Sequence, residues 1–234
     1  MLTPVRSPRS PALRAGAALL LFSFLLALTG CPDDPSPPSD AGTDAPADAP
    51  GCTLPFIGDK SQDIVMEVIV LGASNTSTKV SEGDMVPMIF PPQGGEVIFA
   101  GVRAKNIDPC GAKISGALRD LGSNLVQVDA RTVNLEDSGD GWGQSTDSDI
   151  ASFSNISVCP NNWSKSDIYG HVHQLEVTVT DRDKRSATSK IKVTPFCAEE
   201  AYMPFCTCTC KEGYILGETC DGGAGGGGSG GSHP

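Results

Sequence analysis

Histidine is nearly missing from this chain, with three in 234 residues. Zinc sites and Ser-His-Asp triads are built on histidines, so little is left for either chemistry. The string Gly-x-Ser-x-Gly falls only at Gly227 to Gly231, inside a glycine-rich run with no strand–helix pattern to make it a nucleophile elbow, and no phosphate-binding glycine loop opens a helix. Aromatic residues make up only 6% of the chain, too few to pave a sugar platform. After Leu28 no apolar run approaches the roughly twenty residues that a membrane-spanning helix takes. Bases are outnumbered by acids, 17 to 28, for a formal charge of -11. That balance argues against nucleic acid as a partner and against electrostatic docking on anionic lipid heads. Paired carboxylates for hydrolysis meet in space and leave no mark in the sequence, so a hydrolase acting on carbohydrate or peptide stays open as an alternative function.

What is present begins at the amino terminus. Arg6, Arg9 and Arg14, without an acid, precede an apolar stretch from Ala15 to Leu28. This is the charged and then apolar order of a secretory signal peptide. Leu28-Thr29-Gly30-Cys31 follows at once and resembles the lipobox of bacterial lipoprotein precursors. The resemblance implies cleavage of residues 1–30 and lipid on Cys31, and hence a cell-envelope location anchored without a transmembrane helix. It also implies the outer membrane, because Gram-negative lipoproteins kept in the inner membrane carry aspartate immediately after the cysteine, and here Pro32 stands there. Residues 32–51 hold six prolines, five aspartates and no base, so 31–51 reads as a lipidated cysteine on a disordered stalk. Loss of three arginines with the signal peptide takes the formal charge from -11 to -14.

Nine cysteines are an odd number for an exported chain. With Cys31 given to lipid, eight remain: Cys52, Cys110, Cys159, Cys197, Cys206, Cys208, Cys210 and Cys220. An oxidising compartment turns these into four disulfides, with 105 pairings open. Three lie in the body and five in the tail, so full oxidation needs at least one bridge between them. Within the body, Cys110 with Cys159 is the expected pair, since both follow strands and sit beside turn residues. The segment Cys208 to Cys220, with Gly213, Tyr214 and Gly217, resembles the second half of an EGF-like module, although only five cysteines lie in 197–220 where that family needs six. The resemblance implies a bridge between Cys210 and Cys220. The run 221–234 is glycine-rich linker composition and reads as disordered.

Residues 52–196 are long enough for one cored domain. Leu175, Val177 and Val179 alternate with Glu176, Thr178 and Thr180, Asp181 to Arg185 make a turn, and Ala187, Ser189, Ile191 and Val193 return on one face. This hairpin resembles the last hairpin of bacterial immunoglobulin-like repeats. Further strands are expected over Asp63–Leu71, Glu96–Lys105, Lys113–Arg119, Leu125–Leu135 and Ser152–Val158. The expected fold is therefore all-β, an immunoglobulin-like antiparallel sandwich with a small disulfide-rich tail; a propeller or barrel is the alternative.

Candidate sites are few. His171-Val-His173 puts two imidazoles on one face of a strand, but a metal needs more ligands and the remaining histidine is the distant His233. The acidic glycine-rich loop from Glu136 to Trp142 fails the EF-hand register, leaving weak calcium binding near Asp137 and Asp140 as an open possibility and no other cofactor. Trp142 and Trp163 fall in expected loops, where a tryptophan either anchors a ligand or caps the core. The leading expectation is a non-enzymatic binding or structural module. Its partners are membrane lipid through Cys31 and another envelope protein or a glycan.

Overall fold

The computed structural model describes residues 52–220, so the expected signal peptide, Cys31, the expected stalk and the glycine-rich run 221–234 lie outside the described residues. Among the described residues the chain forms eleven strands and one short helix, and the longer strands follow from alternation of apolar and polar residues. The strands are β1 (Val65–Leu71), β2 (Ser77–Lys79), β3 (Met85–Met88), β4 (Glu96–Lys105), β5 (Ala112–Asp120), β6 (Val126–Val133), β7 (Glu136–Gly139), β8 (Trp142–Gln144), β9 (Ser154–Cys159), β10 (His173–Thr180) and β11 (Ser186–Cys197). Helix α1 (Met203–Thr209) follows in the tail. The fold is an all-β sandwich.

One sheet runs β2-β1-β4-β8-β7, with β9 also paired to β4. The other runs β3-β11-β10-β5-β6, antiparallel throughout except that β3 lies parallel to β11. Just past β3, Ile89 bridges Val97 of β4, so the chain steps from one sheet to the other there.

Ile98, Ala100, Val102 and Ala104 of β4 face Ile114, Leu118, Leu175, Val177 and Val179 of the second sheet, all fully buried in one cluster. Burying a side chain of this kind is worth about 1.5–3 kcal/mol. The alternation in β4 marks its core face, but Val97 and Phe99 on its other face are buried too, because Phe153 folds over them. Gly101 allows this close cover, since a Cβ there would come within 2.6 Å of the Phe153 ring.

Four disulfides join Cys52 to Cys110, Cys159 to Cys210, Cys197 to Cys206 and Cys208 to Cys220. The expected pair Cys110–Cys159 is corrected by strand direction. Cys110 follows the end of β4, whereas Cys159 pairs opposite Glu96 at its start. The ten residues of β4 span about 33 Å, and a disulfide needs its Cα atoms within about 7 Å. The bridge implied by the EGF resemblance, Cys210–Cys220, is corrected as well: Cys210 points into the body and is fully buried against Cys159, leaving Cys208 to close the last loop. The bridge demanded by parity between body and tail is Cys159–Cys210.

The sandwich thus has two unlike ends. One holds Cys52–Cys110 and the Ile57–Ile107 bridge, where the described chain enters. The other holds the remaining three disulfides and the tail.

Candidate functional site

At the entry end, β7 and β8 form a tight hairpin through Asp140 and Gly141, both with positive φ. Asp137 spends one carboxylate oxygen on the amide of Gly139 at 2.8 Å, so it shapes the turn. Among the described residues no group of three or more His, Cys, Asp or Glu side chains gathers as a metal ligand set. Trp142 is half-buried beneath Arg103 and Lys105, each cation 4.6 Å from the ring centroid. Arg103 and Lys79 both reach Glu67, so the tryptophan belongs to a charged lattice on the outer side of β4.

Two cavities flank Leu54 nearby. One, of about 410 Å³, is lined mainly by Leu54, Pro55, Phe56, Ile57, Pro109 and Leu135. The other, of about 480 Å³, is lined by polar groups that include Thr132, Asn134, Glu136, Thr146 and Asp149. Asp149 accepts from the amide of Ala151 at 2.9 Å and so caps the short 3-10 turn Ile150–Ser152.

At the tail end a buried polar network ties loops to strands. Asp120 accepts from the Gly122 amide at 3.0 Å, Ser123 Oγ at 2.6 Å, the Lys165 amide at 2.9 Å and Ser166 Oγ at 3.3 Å. These donors outweigh burial and hold its carboxyl well below the usual range. His173 lies opposite Asp120 in the strand register and is fully buried. Its Nδ1 is 3.0 Å from the carbonyl of His171, which makes Nδ1 the protonated nitrogen, and burial lowers its pKa. His171 itself is exposed ahead of β10, 3.9 Å from Asp167. The two imidazoles therefore do not share a face. Trp163 donates to the Val158 carbonyl at 3.0 Å and lies edge-on to His173, capping the core.

The carboxyl pushed up furthest is Glu96, to about 7, by burial first and by the nearby Glu199 second. It lies beneath the tail, away from both cavities.

The outer face of the second sheet gathers the outward residues of four paired strands. Register brings together Val126, Arg119, Gln174 and Lys192 in one row, and Val128, Ala117, Glu176 and Lys190 in the next. Below them lie Ala130, Ser115, Thr178 and Thr188. Half of this surface was readable in the alternation of β10 and β11. Its apolar corner was not, because Leu121, Val126, Val128 and Val172 are brought together only by pairing.

Neither models of known protein families nor curated proteins give a match to the chain.

Proposed function

We propose that the protein is a bacterial lipoprotein, anchored in the envelope through lipid on Cys31, that displays a non-enzymatic β-sandwich binding module. The observation that carries the anchor is the closed disulfide set. Its four bridges use eight of the nine cysteines and leave Cys31 with no cysteine of its own chain to pair with. Lipidation gives that cysteine a role and fits the export motif around it. The outer membrane is the proposed location.

The module reading draws on strand order. The run β6-β5-β10-β11 follows the C′-C-F-G order of immunoglobulin-type sandwiches, and β4 pairs with β9 as B does with E. No disulfide joins β4 to β10, unlike antibody domains. Asp120 is taken up in structural contacts, and His173, held at Nδ1 by the His171 carbonyl, is fully buried.

Intact mass of the protein from a bacterial host, with and without reductant, tests the anchor. The expected chain begins at Cys31, is heavier by a diacylglycerol and an acyl group, and gains eight hydrogens on reduction of its four disulfides. A chain that begins elsewhere and carries no lipid removes the reading.

A hydrolase is the second reading, and one observation favours it: Glu136 and Asp149 line the same polar cavity. Its test is turnover of polysaccharide and peptide reporters by the wild type and by Glu136→Gln. Turnover by the wild type that the variant abolishes would replace the binding module with an enzyme.

A further inference from the structure

We infer that the outer face of the second sheet, at its tail end, docks a protein segment that presents aliphatic side chains flanked by carboxylates. This rests on the binding-module reading and names the surface and the partner's chemistry. Val128 is 58% exposed, Val172 52%, Leu121 41% and Val126 37%. They are neighbours rather than scattered residues. Val126 pairs with Arg119, and Val128 with Ala117. Asp120 pairs with His173, which sets Leu121 and Val172 side by side just beyond the last register pair. The amide of Asp120 donates to the carbonyl of Leu125, so the β5–β6 ladder runs on to the turn that carries Leu121. Contiguous exposed aliphatics on a soluble domain mark a contact surface, whereas isolated ones need no explanation.

The rim of the patch selects the occupant. Arg119, Lys190 and Lys192 share this end of the face with one acid of the paired rows, Glu176, on a chain whose formal charge is -11, and at the edge the Glu82 carboxylate accepts from the Lys192 amide at 2.8 Å. Glu176 is neutralised by Lys190 at 3.1 Å, and Arg119 donates to the carbonyl of Asn124 at 3.0 Å, which holds its cation at the apolar corner beside Val126. An apolar centre with a charged rim is the anatomy of a protein interface, and a basic rim steers acidic partners. A second copy would set this basic face against its own like. A glycan would want an aromatic platform, and the paired rows carry none. The patch also lies at the end of β5 away from Cys110, and thus away from the point where the described chain enters.

The test is a selection of random twelve-residue displayed peptides on the full chain, followed by binding of the enriched peptides made synthetically. The expected peptides carry Leu, Ile or Val beside Asp or Glu. Val128→Glu and Val172→Glu should each weaken them by about tenfold or more, and replacing the peptides' acids by lysine should abolish binding. Val65→Glu, at an exposed site on the other sheet, should leave affinity unchanged. Thermal midpoints of the three variants, expected near that of the wild type, confirm that the fold is kept. Peptides that bind all variants alike would overturn the assignment of this face while leaving the binding-module reading standing. Peptides without carboxylates would overturn the partner chemistry, and no enrichment at all would overturn a protein-docking role. The module reading itself stands or falls on the turnover assay.

Discussion

Glu96 opens β4 with 2% of its surface exposed, one carboxylate oxygen without a protein partner, and the Glu199 carboxylate nearby. Glu199 is held in turn by the amide of Phe90 at 2.6 Å, so the two acids meet where the tail closes on the body. Because the folded-state pKa of Glu96 is about 7, above its ordinary 4.5, folding takes up a proton between those values. Its contribution to stability is complete below about pH 4.5 and is lost as pH rises through 7. His173 acts in the opposite sense: its lowered pKa adds stability above its ordinary value and loses it as pH falls. The difference between wild type and Glu96→Gln isolates the carboxyl, because His173 is common to both. The variant should lose the decline between pH 4.5 and 7 and be the more stable protein at pH 8, by up to about 3 kcal/mol. Urea unfolding across that range measures it, and parallel curves would show that Glu96 is ionised in the fold. Nothing in the sequence marks Glu96, which begins an ordinary alternating strand. The carboxylate beside it, Glu199, comes from the tail, more than a hundred residues on.

The turn between β10 and β11 shows how a short element secures distant ones. Arg185 reaches Asp181 with two nitrogens, at 3.0 and 2.7 Å. The same guanidinium donates to the carbonyls of Lys60, Gln62 and Asn106, and lies 5.2 Å from the Phe56 ring centroid. The Asp181 side chain is fully covered, so removing the arginine would strand a buried charge. Arg185→Ala should therefore cost about 3 kcal/mol. Arg182→Ala, which breaks the more exposed pair with Asp108, should cost less than about 1 kcal/mol. Denaturant midpoints of the two variants rank them, and equal losses would refute the stranded-charge account. The hairpin itself was legible, since period-two alternation and the charged Asp181–Arg185 turn stand in the sequence. The β7–β8 hairpin was not. Glu136 to Trp142 is too acidic and too rich in glycine to look like strands, and it pairs because Asp140 and Gly141 take the left-handed conformations a tight turn requires. The three- and four-residue strands β2 and β3 were also missed; with so few residues they carry no period to detect.

At the scale of the molecule, the question is whether the tail is an appendage or part of the domain. Cysteine parity answered in outline, by requiring a bridge between them, but could not say which, because pairing depends on which end of the sandwich each cysteine reaches. The tail is held by more than covalent bonds. The amide of Asn161 donates to the carbonyl of Thr209 at 2.8 Å and that of Ile168 to the carbonyl of Cys210 at 2.9 Å. Phe90 stacks on Tyr202 at 4.4 Å and meets Phe205 edge-on. If these contacts make one cooperative unit, cutting Cys159–Cys210 lowers the stability of the whole domain. The bridge closes a loop of 51 residues, for which chain entropy gives about 4 kcal/mol. Cys208–Cys220, spanning only 12, gives about 3 kcal/mol by the same relation, but it ties a terminal loop to itself. Replacing Cys159 and Cys210 together by serine should then lower the global unfolding midpoint, and the transition should remain single. Replacing Cys208 and Cys220 should chiefly open the loop around Lys211 to trypsin and leave the midpoint nearly in place. A Cys159/Cys210 variant that keeps the wild-type midpoint and is cut rapidly at Lys211 would show the opposite, a tail that folds and fails on its own. Glu96 sharpens the distinction: with the tail released it should meet water, and the pH dependence assigned to it should disappear in the Cys159/Cys210 variant but persist in the Cys208/Cys220 one.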